Sequence, residues 1–215
     1  MSKSSGHPNT IKNRLLELKN KEEQFISTGR VMLTNQNLYL FDLLCTAILN
    51  RSLNLIRGFI TLMNEENFIA AAPLIRVHLD TLLRLNGFSL IDQDIDQLTL
   101  KVIKGESIRN FKSRDGSSLT DKYLAETISS EEQFNWVKPL YQKLNGFIHL
   151  SDMHILASSN LNAKDGIIQG VISRSDKFVP EKDKLASITF MILISEGIVA
   201  FVGEWIEKKA TYKKE

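Results

Sequence analysis

Apolar positions recur at helical spacing along most of the chain. Ile11, Leu15, Leu18, Phe25 and Ile26 mark one face of a charged first helix over residues 11–27. Residues 37–64 predict a single helix of about 28 residues, about 42 Å at 1.5 Å per residue. Its polar residues Asp42, Thr46, Asn50, Asn54, Arg57 and Thr61 step by three or four and form one stripe. The rest of its surface is mainly Leu, Ile, Phe, Ala and Met, so it is expected in the middle of a bundle. A third helix is predicted over residues 67–90, with Pro73 either in its first turn or at a kink. A shorter helix over 92–104 presents Ile95, Leu98 and Val102 on one side. Asp92, Asp94 and Asp96 at its start suit the helix dipole.

Residues 105–118 form a connector, and 119–128 a short helix. Ser130 and Gln133 match a capping box that would open a helix to about Ile148, bent at Pro139. Residues 149–179 break the pattern. Two β-prone runs, Ile155–Ala157 and Ile167–Ile172, flank a polar stretch, giving either a small hairpin or an ordered loop near 154–173. Pro180 opens a last helix to about Lys209, and the Lys-rich tail from Lys208 onward is expected to fray.

These elements predict an all-α, up-down bundle of about five to seven helices in one domain spanning 1–215. A peripheral helix (10–28) precedes core helices (37–148), an irregular insertion (149–179) and a C-terminal core helix (180–209). No repeat recurs at solenoid periods.

Composition narrows the function classes. Hydrophobic residues at 43% and charged residues at 24% are those of an ordinary globular domain, which excludes wholesale disorder. The 27 Lys+Arg against 25 Asp+Glu leave +2, too little for a strongly electrostatic nucleic-acid binder, although a local basic patch remains open. One cysteine, Cys45, excludes an intrachain disulfide and any CxxC site. It lies in an apolar helix and reads as a buried structural thiol. The polar N-terminus lacks the apolar stretch of a signal peptide, and a cytoplasmic location is expected. Residues 185–206 are long enough to span a bilayer, but Glu196 sits at their middle and Glu204 near their end. A mid-membrane carboxylate costs about 2.5–3.5 kcal/mol, so a buried core helix and no membrane is expected.

No P-loop, GxGxxG, GxSxG or HExxH occurs. His149, Asp152 and His154 are the nearest approach to a metal set, and with no further anchor no metal and no cofactor is expected. Two other features carry chemistry. Arg76 and Asp80 stand at i and i+4 in an otherwise apolar helix, where they can pair. The stretch Tyr141 through Ser151 places Tyr141, Lys143 and His149 around the end of another helix. One outcome is a buried polar network that fixes helix register. The other is a cleft in which neutral His149 takes a proton from a ribose 2′-hydroxyl while Arg76 stabilises charge on the phosphate. Arg109, Lys112 and Arg114 in the connector are candidate RNA-phosphate contacts.

Arg51–Phe59, Glu66–Asp80 and Tyr141–Ser151 together resemble a group of bacterial helical proteins with an R-x3-[DE] pattern on one helix and Y…[VI]H-x-S near the end of another. The match spans about residues 37–155 and is similar in outline to the HEPN superfamily. That resemblance implies a helical bundle with a toxin–antitoxin, abortive-infection or other phage-defence role. It also implies a dimeric ribonuclease needing no metal, with an antitoxin as one candidate partner. Active members carry an Arg and a His four to six residues apart. Here Lys143 holds that place before His149, and Arg76 would supply the guanidinium from another helix.

Two further classes stay open. A non-enzymatic binding or regulatory module would dimerise or dock a protein through the stripe Phe190, Ile194, Ile198, Phe201 and Trp205. A small-molecule or nucleotide pocket would use Arg76 to grip an anion.

Overall fold

A computed structural model describes residues 10–34, 37–160 and 169–211. Among them the chain forms eight α-helices: α1 Ile11–Leu33, α2 Leu40–Asn64, α3 Phe68–Ser89, α4 Ile95–Ile103, α5 Asp121–Ile128, α6 Val137–Ile148, α7 Asp152–Ser158 and α8 Glu181–Lys209. The fold is an all-α bundle with a two-residue-per-strand hairpin, in which Ser159–Asn160 (β1) pairs antiparallel with Gln169–Gly170 (β2).

Helices α1, α2, α3 and α8 form a ring in which each packs on the next. Arg14 bonds Thr189 (3.0 Å), Lys21 bonds Glu196 (2.8 Å) and Lys209 bonds the Met32 carbonyl (2.7 Å), so α1 and α8 run in the same direction. They can do so because α6 has already made the return. Residues near 120, at 141 and at 147 meet α3 at Arg84, Arg76 and Phe68 respectively, so α6 descends along α3 and delivers the chain to the end where α8 begins. Alternation along the chain is kept.

The most enclosed helix is α3, which packs on α2, α5, α6 and α8. Helix α2 packs on α1, α3, α4 and α8, the several neighbours expected of it, but it is less enclosed than α3. Helix α2 buries Phe41, Cys45, Ile48, Leu49, Ile56 and Phe59, while Thr46, Asn50, Asn54, Arg57 and Thr61 of the polar stripe face solvent. Asp42, read as the top of that stripe, is instead buried. Burial and the nearby Asp42 carboxylate push the Cys45 thiol up to about 12, so it is inert at neutral pH. Where α3 meets α8, a Cβ at Gly197 would lie 3.0 Å from Leu82 and 3.1 Å from Phe134, so any larger residue would have to push these side chains aside by a few tenths of an ångström.

The stripe on α8 turns inward. Ile194, Ile198 and Trp205 are buried, and the Phe201 ring stacks on Phe134 at 5.7 Å. Glu196, at the middle of the apolar stretch, points outward to Lys21. Both α2 and α8 are long and apolar enough to cross a membrane, and both pack into the bundle here.

Several local expectations are corrected. Helix α1 runs six residues beyond Ser27, to Leu33, because Met32 inserts fully into the core. Pro73 lies beyond the first turn of α3, so the Ile69 carbonyl receives no i→i−4 bond from it. The capping box at Ser130 does not form. Ser130 donates to the Thr127 carbonyl, a 3-10 turn covers Glu132–Phe134, and α6 starts only at Val137, where Ser129 Oγ accepts from the Lys138 N–H (2.8 Å). Pro139 thereby falls in the first turn of α6, where it bends nothing. Ile155–Ala157, read as a strand, lies in α7, whose N-terminus is closed by Ser151 and His154. Of the second β-prone run, Ile167 and Ile168 lie outside the described residues, and Gln169–Gly170 form β2. Lys209 is not frayed but buried, as described below.

The stretch before α8 is fixed to α3 by Asp176. Both its carboxylate oxygens accept from the Phe68 N–H at 3.0 Å, and Lys184 pairs with it at 3.1 Å. The carboxylate thus caps a helix N-terminus from outside the helix. Asp176→Ala is expected to lower stability by about 1–3 kcal/mol, read as a lower urea midpoint at unchanged slope.

His78 sits fully buried between α3 and α8. Its Nε2 lies 3.1 Å from Ser195 Oγ, and that hydroxyl donates to the Met191 carbonyl (2.7 Å), so Nε2 carries the proton and donates. Nδ1 has no partner. Burial, helped by the Arg51 charge, lowers its pKa from 6.5 to about 3. The unfolded chain therefore binds a proton below pH 6.5 that the folded chain refuses until about pH 3. Stability from this group is complete above pH 6.5 and is lost as pH falls toward 3, by at most about 1.4 kcal/mol per pH unit. Between pH 6.5 and 5 the native protein should lose about 2 kcal/mol more than a His78→Leu variant, measured by denaturant titration at both pH values.

Candidate functional site

The site is built on three helices. On α3, Arg76, Val77 and Asp80 share one face. On α6, Tyr141, Asn145 and His149 follow at i, i+4 and i+8, with His149 as the extended residue that ends the helix. Asp121 opens α5, and Arg51 reaches over from α2. These side chains line one open pocket of about 570 Å³. The structure thus brings together Arg76, Asp80, Tyr141 and His149, four of the five residues proposed from sequence as catalytic.

The pairing within it differs from the i,i+4 bridge expected between Arg76 and Asp80. Arg76 bonds Asp121 at 2.6 Å and lies 4.7 Å over the Tyr141 ring, a cation–π contact. Asp80 instead accepts from Arg84 (3.2 Å), and Arg84 also bonds Asp121 and the Leu119 carbonyl (2.7 Å). Asp121 is therefore the hub between two arginines. The reason is geometric: the Asp121 carboxylate arrives from a second helix and presents two oxygens, whereas Asp80 reaches Arg84 one turn further along α3.

Two guanidinium groups are thus balanced by two carboxylates. Arg51 is the exception. Its Nε donates to Thr81 Oγ1 at 3.1 Å, and among the described residues no carboxylate pairs with it. Its terminal nitrogens carry the pocket's uncompensated positive charge, at an exposed position on the lining that also holds His149. Arg51, Asn145 and Asp121 are the site residues that sequence reasoning missed. The only signals were that Arg51 adjoins the exposed Asn50–Asn54 stripe and that Asp121 is an acid at a helix start.

Lys143 is not brought to this pocket. It lies on another face of α6, half exposed, with Asp183 of α8 at 3.8 Å. The connector residues also have other tasks. Arg114 donates to the Ser89 carbonyl at the end of α3 (2.8 Å) and Lys112 to Ser118 Oγ (2.8 Å), and neither they nor Arg109 line the pocket. His154 Nδ1 accepts from the Ser151 N–H (3.3 Å), which closes α7. Among the described residues no three His, Cys, Asp or Glu side chains converge to hold a metal, so His149, Asp152 and His154 do not form a ligand set.

The chain matches no family model, no curated protein and no solved structure. The pocket offers a solvent-accessible imidazole, a guanidinium with no carboxylate partner among the described residues and an Arg–Asp network that ties α3 to α5.

Proposed function

We propose that this is a HEPN-like helical protein of bacterial defence or stress response, and that its pocket binds RNA and cleaves it without a metal. The observation that supports this most is the convergence of His149 and Tyr141 of α6 with Arg51 of α2 in one open pocket. His149 takes the proton of a ribose 2′-hydroxyl. The O2′–P bond forms as the P–O5′ bond breaks, leaving a 2′,3′-cyclic phosphate. The proton returns through solvent to the departing O5′. Arg51 holds the phosphate through the charge that builds on its oxygens. Arg76 positions Tyr141 and Asp121 rather than meeting the phosphate itself.

The test is incubation of the purified protein with end-labelled RNA in EDTA, followed by end-group analysis. Cleavage with 2′,3′-cyclic phosphate ends is the expected result. Folded protein that leaves RNA intact removes the catalytic reading, and filter binding of the same RNA then decides whether the pocket binds it at all.

One observation favours a second reading, a non-enzymatic module that docks a second copy or a protein partner such as an antitoxin. Ile148 and Leu150 flank His149, and Leu150 is 90% exposed. Sedimentation at micromolar concentration, with and without Leu150→Lys, separates self-association from a lone chain.

A further inference from the structure

Across α6 from the candidate site lies a second cavity, of about 550 Å³. Phe68 and Ile75 of α3, Leu144 and Phe147 of α6, Leu156 of α7 and Phe190 of α8 line it. Packed interiors leave few voids larger than a water molecule, and this volume lies within the range of small-molecule sites, about 300–1,000 Å³. The elements around it are fixed to one another at its edges by the Phe68–Phe147 edge contact (5.8 Å), the Trp136–Phe190 contact (6.4 Å) and the Asp176–Phe68 cap.

Its polar groups specify what it would accept. Lys143 and Asp183 both line it and face each other at 3.8 Å, so the cavity offers no net charge. Ser159 and Asn160 of β1 line it too, the Ser159 hydroxyl being taken up by the Ile155 carbonyl (2.6 Å), whereas Ser187, nine-tenths buried on α8, lines it with a hydroxyl that makes no hydrogen bond among the described residues. A charged ligand would lose hydration without gaining an unopposed counter-charge, whereas a neutral hydroxyl or carbonyl would satisfy Ser187.

We propose that this cavity is a binding site for an uncharged, predominantly apolar small molecule with a single hydrogen-bonding group directed at Ser187. The site is independent of any RNA cleavage at the other face of α6.

The test uses 1-decanol, decanoate and decylamine as probes, each below its aggregation concentration. Binding is followed by Trp136 fluorescence, since the indole adjoins the cavity-lining Phe190, and by calorimetry. Saturable one-to-one binding of decanol is expected, about tenfold or more tighter than either charged analogue. Ala186→Trp, which fills the cavity, should abolish it. Ser187→Ala, a smaller change that serves if the Trp variant does not fold, should weaken decanol about fivefold, the worth of one hydrogen bond. Absence of saturable binding, or decanol binding that survives both Ala186→Trp and Ser187→Ala, overturns the site. Tighter binding of decanoate or decylamine overturns the uncharged class.

Discussion

Asp42→Ala is expected to destabilise the protein by about 3–5 kcal/mol. Asp42 and Lys209 form an ion pair at 2.8 Å with almost no solvent access to either side chain. The carboxylate is saturated: the Tyr39 N–H and Lys209 Nζ reach one oxygen and Trp205 Nε1 the other, all at 2.8 Å. Lys209 is less well supplied: among the described residues it has the Met32 carbonyl besides Asp42. Removing the carboxylate strands an ammonium with one neutral acceptor and leaves the indole N–H without its acceptor. It also loosens the junction where the ends of α1 and α8 meet the start of α2. Lys209→Met should cost less, because Asp42 keeps two donors. The double variant Asp42→Leu/Lys209→Met should recover part of the loss, since a buried pair replaced by apolar groups of similar size is often near neutral. Guanidinium denaturation of the four proteins closes the cycle. Equal stabilities for native protein and Asp42→Ala would show that the pair has no energetic role.

That junction also marks where sequence reasoning stops. Helical periodicity found α2, α3 and α8 nearly to the residue, because long apolar stripes are local and repeated. It placed Asp42 on the solvent stripe because its spacing fits there. What buries it is Lys209, 167 residues away in sequence, and no periodicity reports such a partner. The same holds at the candidate site. Tyr141 and His149 were legible because both lie on one helix, and Arg76 because a charge in an apolar run is conspicuous. Lys143 was misplaced because a position two residues from Tyr141 turns about 200° around the helix axis. Asp121 was missed because an acid at a helix start looks like a dipole partner until a second helix supplies the arginines. The short α7 was read as β-prone from Ile155 and Leu156. What decided it was the local cap formed by Ser151 and His154, with the Ser151 hydroxyl also donating to the Gly146 carbonyl near the end of α6.

His149→Ala should reduce RNA cleavage about 10²–10⁴-fold, the usual contribution of a positioned general base. The side chain is exposed at the end of α6 and its N–H to the Asn145 carbonyl is backbone only (3.4 Å). The variant should therefore keep native stability, so lost activity is not lost fold. Arg51→Ala should follow with about a 10²–10³-fold fall, since it removes the pocket's single uncompensated cation from the developing phosphate charge. Arg76→Ala should behave differently. Its guanidinium ties Asp121 to Tyr141, so activity and thermal stability should fall together, and Arg76→Lys should restore neither fully because a point charge cannot hold Asp121 and cover the ring at once. Single-turnover cleavage beside thermal melting sorts the three. If His149→Ala cleaved at the native rate, the imidazole would have no part in the chemistry. If Arg51→Ala were also silent, the pocket would be a structural junction of α2, α3 and α6. The pattern to look for is stability kept with activity lost at positions 51 and 149, and both lost at 76.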